Sequence, residues 1–326
     1  MNFPKFSIIL FLLIFSFSIA SADNVSSFEF FSPSLDRNWA YSVYLPEGYN
    51  DSDLRYAVVY LLHGNGGNER DWLVNGKIEY TLDKLIASGE IPPVIAVTPD
   101  VGTGWYVDRK EKFESAFIKD FIPEIDGRFR TVPHRSGRFL AGFSMGGYGV
   151  LRFAFIYPEL FSAAGLINPA IYAPEPPESS SARKVGVFGE PYDGNIWKSL
   201  NYPAFIEEFL EKNIKVPLYI VSGDDDYFNI ELHAALLYEE LRKSGQPAEL
   251  RIYNGGHTWE FASEQIGEVL KYVLSCSSEN SNSLNFLLFF PSHIFIPLLF
   301  LFIQPLFHFF PGHIAHFLAQ LSFYLP

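Results

Sequence analysis

The run Gly142-Phe143-Ser144-Met145-Gly146-Gly147 constrains the fold more than any other stretch of the chain. A short, mostly apolar segment (138–143) leads into it, and a longer apolar segment (146–156) leaves it. The first has the length of a strand and the second that of a helix. Glycines on both sides of one central residue allow a turn so tight that side chains there would collide with the neighbouring strand and helix. A strand that turns straight into a helix belongs to a sheet covered by helices.

The rest of the chain repeats that alternation. Strands are expected at 28–31, 41–44, 57–62, 94–98, 138–143, 163–167, 218–221 and 249–253. Helices are expected at 78–88, 113–129, 146–156, 230–244 and 262–274. In the second of these, Phe113, Phe117, Phe121 and Ile125 recur every fourth residue, as one buried helix face requires. The fold class is therefore α/β, with a mainly parallel sheet and helices on both faces. Residues 171–203, rich in proline, serine and glycine, interrupt the alternation and read as an excursion over the sheet edge.

Both ends differ from this middle. Residues 1–22 have the layout of a signal peptide: Lys5, an apolar run at 8–19, then Ala20-Ser21-Ala22 before Asp23. A secreted or extracytoplasmic location follows as an expectation. No residue beyond Glu279 is charged, and the segment 279–326 is rich in Phe, Leu and Ile but broken by prolines. A membrane anchor, a cleaved lipid-anchor signal and an appended tail are all readings of it; the appended tail is preferred. The folded domain is expected within 23–278, and any membrane association would pass through the tail.

Composition excludes some classes. A net charge of −13 speaks against nucleic acid as a partner. The single cysteine, Cys276, cannot form an internal disulfide, and no Cys/His cluster has metal-ligand spacing.

Ser144 at the turn is the candidate nucleophile. Leu61-Leu62-His63-Gly64-Asn65-Gly66-Gly67 is a strand running into a glycine-rich loop, where backbone N–H groups can face a developing oxyanion. The donors are assigned to Asn65 and to Met145, the residue after the nucleophile; His63 braces the loop. The base should follow the nucleophile in the chain. His257, in Gly255-Gly256-His257-Thr258-Trp259 after a strand, meets that condition. His134 precedes the nucleophile strand, and His233 is expected at the protein surface. The acid should lie on the loop after the preceding strand, where Asp224, Asp225 and Asp226 compete. Asp226 is favoured because it stands furthest from the strand, with the other two capping or solvated. Trp105, Tyr106 and Trp259 are candidates to stack on an acyl or sugar group, with core packing as the alternative.

With these residues in place the chain resembles the esterase D-like family of α/β-hydrolases, which includes feruloyl and acetylxylan esterases and mycolyltransferases. Val43-Tyr44-Leu45-Pro46, Tyr60-Leu61-Leu62-His63-Gly64, Gly104-Trp105-Tyr106, Gly142 through Gly149 and Gly255 through Trp259 carry the likeness. The resemblance implies a Ser144, His257, Asp226 triad with Asn65 and Met145 as oxyanion donors. It also implies an ester substrate, small or polysaccharide-linked, and no metal or organic cofactor. The expected reaction is hydrolysis of carbohydrate-linked acyl or feruloyl esters. An envelope acyltransferase and a general short-chain carboxylesterase are the alternatives.

Overall fold

The computed structural model describes residues 24–276. The expected signal peptide and the segment from 279 lie outside the described residues. Within them, eight strands form one sheet: β1 (Val25–Ser32), β2 (Arg37–Tyr44), β3 (Ala57–Leu62), β4 (Val94–Pro99), β5 (Arg138–Phe143), β6 (Ala163–Ile167), β7 (Leu218–Gly223) and β8 (Ala248–Tyr253). Their spatial order is β1-β2-β4-β3-β5-β6-β7-β8. The β1–β2 and β2–β4 pairs are antiparallel, and every other pair is parallel.

Burial follows position in that order. β4, β5, β6 and β7 are buried along their whole length, as strands covered on both faces must be. The edge strand β1 is partly exposed, and β8 ends in three exposed residues. Successive side chains alternate between two cores. On β3, Val58, Tyr60 and Leu62 face one core, while Val59 and Leu61 face the other. The first core receives the helix Met145–Ile156, the 113–128 segment and the helix Ile230–Lys243. The second receives the helices Ile78–Ala87 and Trp259–Ser275.

The 113–128 segment departs from its expected single helix. It runs α from Phe113 to Ala116, π from Phe117 to Phe121, and α again from Ile122 to Arg128. Pro123 explains the switch: it has no N–H to donate and its ring clashes with the carbonyl four residues back, so the ladder widens locally. The four-residue aromatic face survives. Phe113, Phe117, Phe121 and Ile125 are all buried, and Phe117 stacks on Phe153 at 4.4 Å between ring centres.

Residues 171–203 contain only short helical pieces, the longest being Gly194–Leu200. They are nonetheless packed down. Tyr148 Oη and Arg152 Nη1, both from the helix Met145–Ile156, donate to the Leu200 carbonyl at 2.6 and 2.8 Å. Arg152 is also paired with buried Glu114, at 2.7 Å. The helix thus fastens the excursion from below.

Candidate active site

All the loops that carry candidate residues leave the same end of the sheet, since each follows the C-terminus of a parallel strand. That is where open α/β sheets place ligands.

Ser144 stands between β5 and the helix Met145–Ile156, at φ 58 and ψ −117. That conformation is strained for a side chain with a Cβ, so surrounding contacts must enforce it. Its N–H donates to Ile167 O at 3.0 Å, and its carbonyl accepts from Ala170 N at 3.0 Å. Both partners lie at or just beyond the end of β6, which fixes the turn against its neighbour. The close approach is possible only without side chains. A Cβ on Gly146 would overlap the Leu62 carbonyl, and one on Gly142 would press on the Gly146 backbone.

His257 Nε2 lies 2.7 Å from Ser144 Oγ, and His257 Nδ1 lies 2.7 Å from Asp226 Oδ2. With the carboxylate as acceptor, Nδ1 carries the ring proton and Nε2 is left to accept from the serine hydroxyl. Asp226 is only 3% exposed, and its second oxygen accepts from Phe228 N at 2.9 Å. The neighbouring aspartates do other work. Asp224 Oδ1 accepts from Gly255 N at 3.1 Å and so ties its own loop to the histidine loop, while the Asp225 side chain is exposed.

The loop after β3 passes beside the serine: a Cβ on Gly64 would sit 3.7 Å from Ser144 Cβ. Among the described residues, the backbone N–H groups of Asn65 and Met145 have no hydrogen-bond acceptor. Met145 opens its helix, so its N–H has no intrahelical partner and sits at the positive end of the helix dipole. The loop is clamped by the segment after β4. Val101 N donates to His63 Nε2 at 3.0 Å, Gly66 N to Gly102 O at 2.9 Å, and Tyr106 Oη to His63 O at 3.1 Å. His63 Nδ1 reaches Gly64 O at 2.7 Å. The ring is neutral, with a proton on Nδ1, because Nε2 must accept from Val101; burial pushes its pKa down and favours this state.

The three candidate stacking aromatics are differently placed. Trp105 and Tyr106 are core residues, 1% and 0% exposed, so neither offers a free face to a ligand. Both have positive φ, 53° and 55°, so the chain doubles back between the clamp and the core. Trp105 packs edge-on against Tyr148, Phe188 and Trp197, and its Nε1 donates to Asn65 Oδ1 at 3.1 Å. It orients the Asn65 loop instead of covering a ligand. Trp259 is half-buried and engaged by Trp72 at 5.1 Å and Phe143 at 4.9 Å. His233, expected at the surface, is instead half-buried against Tyr172 and accepts from Ala173 N through Nδ1 at 3.2 Å.

Sequence reasoning missed Asn168. It is fully buried after β6, with its N–H donating to Val221 O at 2.8 Å. Its side chain accepts from Gly223 N at 3.1 Å and donates to Gly256 O at 3.0 Å. One amide therefore joins the root of the Asp226 loop to the residue before His257. The only local signal is a polar residue followed by Pro169 directly after an apolar strand.

Residues 32–271 match the "Putative esterase" family. A protein of Xylanibacter ruminicola named endo-1,4-beta-xylanase/feruloyl esterase is 37% identical over 165 residues, which make up 47% of this chain and 22% of that protein. The chain thus spans less than a quarter of that relative. The acetyl esterase of Caldicellulosiruptor saccharolyticus is 26% identical over 280 residues, covering 78% of this chain and 99% of that one. The solved structure of a ferulic acid esterase matches with a TM-score of 0.67 at 26% identity, over 78% of this chain and 98% of the other. Since the family match takes in most of the sequence, the chain belongs to the "Putative esterase" family and has the α/β-hydrolase fold.

Proposed function

We propose that this protein is a serine carboxylic-ester hydrolase acting on feruloyl or acetyl esters of plant polysaccharides. The observation that carries this reading is the line Asp226–His257–Ser144, with both hydrogen bonds at 2.7 Å. Ser144 Oγ attacks the ester carbonyl as its proton passes to His257 Nε2. Asp226 holds the imidazole in the required tautomer and stabilises the imidazolium that forms. The N–H groups of Asn65 and Met145 receive the negative oxygen of the tetrahedral intermediate, each contributing about 3 kcal/mol to barrier lowering. His257 then protonates the leaving alcohol, and water activated by the same ring releases the acid.

The substrate class rests on two relatives, whose names mention feruloyl and acetyl ester cleavage. Export through residues 1–22 is consistent with a polysaccharide substrate outside the cell. The test is hydrolysis of methyl ferulate and a short p-nitrophenyl ester by the wild-type protein and Ser144→Ala. The variant should lose at least ~10⁴-fold in kcat while its circular dichroism spectrum stays unchanged. Full activity in Ser144→Ala would overturn the reading.

A further inference from the structure

With Trp105 and Tyr106 in the core and Trp259 engaged by Trp72 and Phe143, Tyr227 is the most exposed of the aromatic side chains packed against His257 among the described residues. Tyr227 is 68% exposed. Its ring centre lies 5.9 Å from that of His257, with the planes 75° apart. An exposed phenol ring adds nothing to the core, and water gains nothing from its apolar faces. Yet the turn that carries it is held firmly. Residues 226–229 form a turn closed by Asn229 N donating to Asp226 O at 2.8 Å and by Phe228 N donating to Asp226 Oδ1 at 2.9 Å. Phe228 supports the ring from behind, 4.0 Å away between centres, and is itself half-buried against Tyr172. The carboxylate that orients His257 therefore also fixes the platform beside it.

We infer that Tyr227 forms a subsite for the sugar ring of the ester's alcohol half. This rests on the esterase reading above, in which His257 Nε2 protonates the leaving oxygen. The leaving oxygen must then lie within hydrogen-bond reach of the imidazole, and the group it carries continues on the imidazole's side of the scissile bond. Tyr227 borders that ring. The occupant's chemistry follows from the platform's own. One face of a pyranose or furanose ring presents C–H groups with slight positive charge, while the face of an aromatic ring is negative. Stacking the two removes apolar area of both from water and asks for no hydrogen bond from the phenol. A methyl or ethyl ester has no such face and gains nothing from Tyr227.

The test compares esters that share an acyl group. One pair is methyl ferulate and ferulate on a pentose methyl glycoside; the other is methyl acetate and the acetylated glycoside. Tyr227→Ala should lower kcat/KM on the sugar esters about tenfold, through KM, and leave the methyl esters within about twofold. Tyr227→Phe should keep the sugar-ester activity, because the ring face and not the hydroxyl does the binding. An equal loss on both members of a pair would mean general damage to the site and would overturn the subsite. So would an unchanged KM on the sugar esters in Tyr227→Ala. If the wild-type protein hydrolyses no member of either pair, the esterase reading fails and takes the subsite with it.

Discussion

The turn that carries Ser144 is shaped by backbone contact, whereas the loop that carries His257 is tied in place by side chains from other loops. Around Ser144 the shaping residues are glycines, and the contacts they permit are with the Leu62 and Gly146 backbones. Around His257 a backbone bond from Asp225 N to Gly255 O at 2.9 Å is joined by three side-chain ties, from Asp226, Asp224 and Asn168, which reach Nδ1, Gly255 N and Gly256 O respectively. The first device is local and tolerates no added atom. The second is distributed, so each tie can be cut separately and its share measured.

The largest expected effect comes from cutting the tie that touches the imidazole itself. Asp226→Asn offers Nδ1 an amide that can present its N–H in place of an acceptor, which favours the wrong tautomer. It should lower kcat by about 10⁴-fold with the fold intact. Asp225→Asn changes an exposed side chain and should stay within about twofold. Steady-state kinetics on one ester checks both, and the reverse ranking would mean that Asp226 does not orient the base.

Next in size is an atom added on the serine side. Gly146→Ala places a methyl group against the Leu62 carbonyl, where backbone and not a pliable side chain must give way. A destabilisation of about 3 kcal/mol is expected, at the upper end for overpacking. Urea unfolding with a tryptophan fluorescence readout would measure it. A variant as stable as the wild type would show that the turn has slack, and the contrast with the histidine loop would fall.

Asn168→Gly sharpens the other half. Asn168 has φ 39, which glycine accepts, so the substitution removes the side-chain bonds without forcing the backbone. It leaves Gly223 N without its acceptor and Gly256 O with only the bond from Thr258 N, and should cost about 2 kcal/mol of stability. Because the lost bonds hold Gly223, three residues before Asp226, and Gly256, directly before His257, kcat should fall as well. A loss of stability with unchanged kcat would assign Asn168 to the fold alone.

The same division decides what the sequence reveals. The strand-turn-helix around Ser144 and the glycine-rich loop 63–67 are legible because their constraints lie within a few residues of one another. The choice of Asp226 over its neighbours is legible from loop position, since the residue furthest from the strand can turn back. The Asn168 bridge is not legible: it joins residues 55 and 88 positions away, which only the sheet order brings together. Trp105 and Tyr106 fail for a related reason. Their composition suits a ligand rim equally well, and only two successive positive φ values turn them inward. The π segment follows from Pro123, a visible residue, but which hydrogen bonds adjust around a proline depends on the aromatic packing that holds the helix in place.

The smallest expected effect is in pH. His63 braces the loop beside Ser144 and His233 supports Ala173, and in each case the ring accepts a backbone N–H, which a protonated ring cannot do. Burial lowers both pKa values from the ordinary 6.5. Below pH 6.5 the unfolded chain therefore takes up protons at these rings before the folded one does. Stability is fully present above 6.5 and is lost progressively as pH falls toward the folded-state pKa values. His63 is the more deeply buried, so the serine side should carry most of this sensitivity. His233→Gln should then keep most of the loss in unfolding free energy seen between about pH 6.5 and about pH 5, measured by urea unfolding at each pH. If His233→Gln instead flattens the profile, the acid-sensitive group lies beside Tyr172, and the loop next to Ser144 is held by more than the neutral His63 ring.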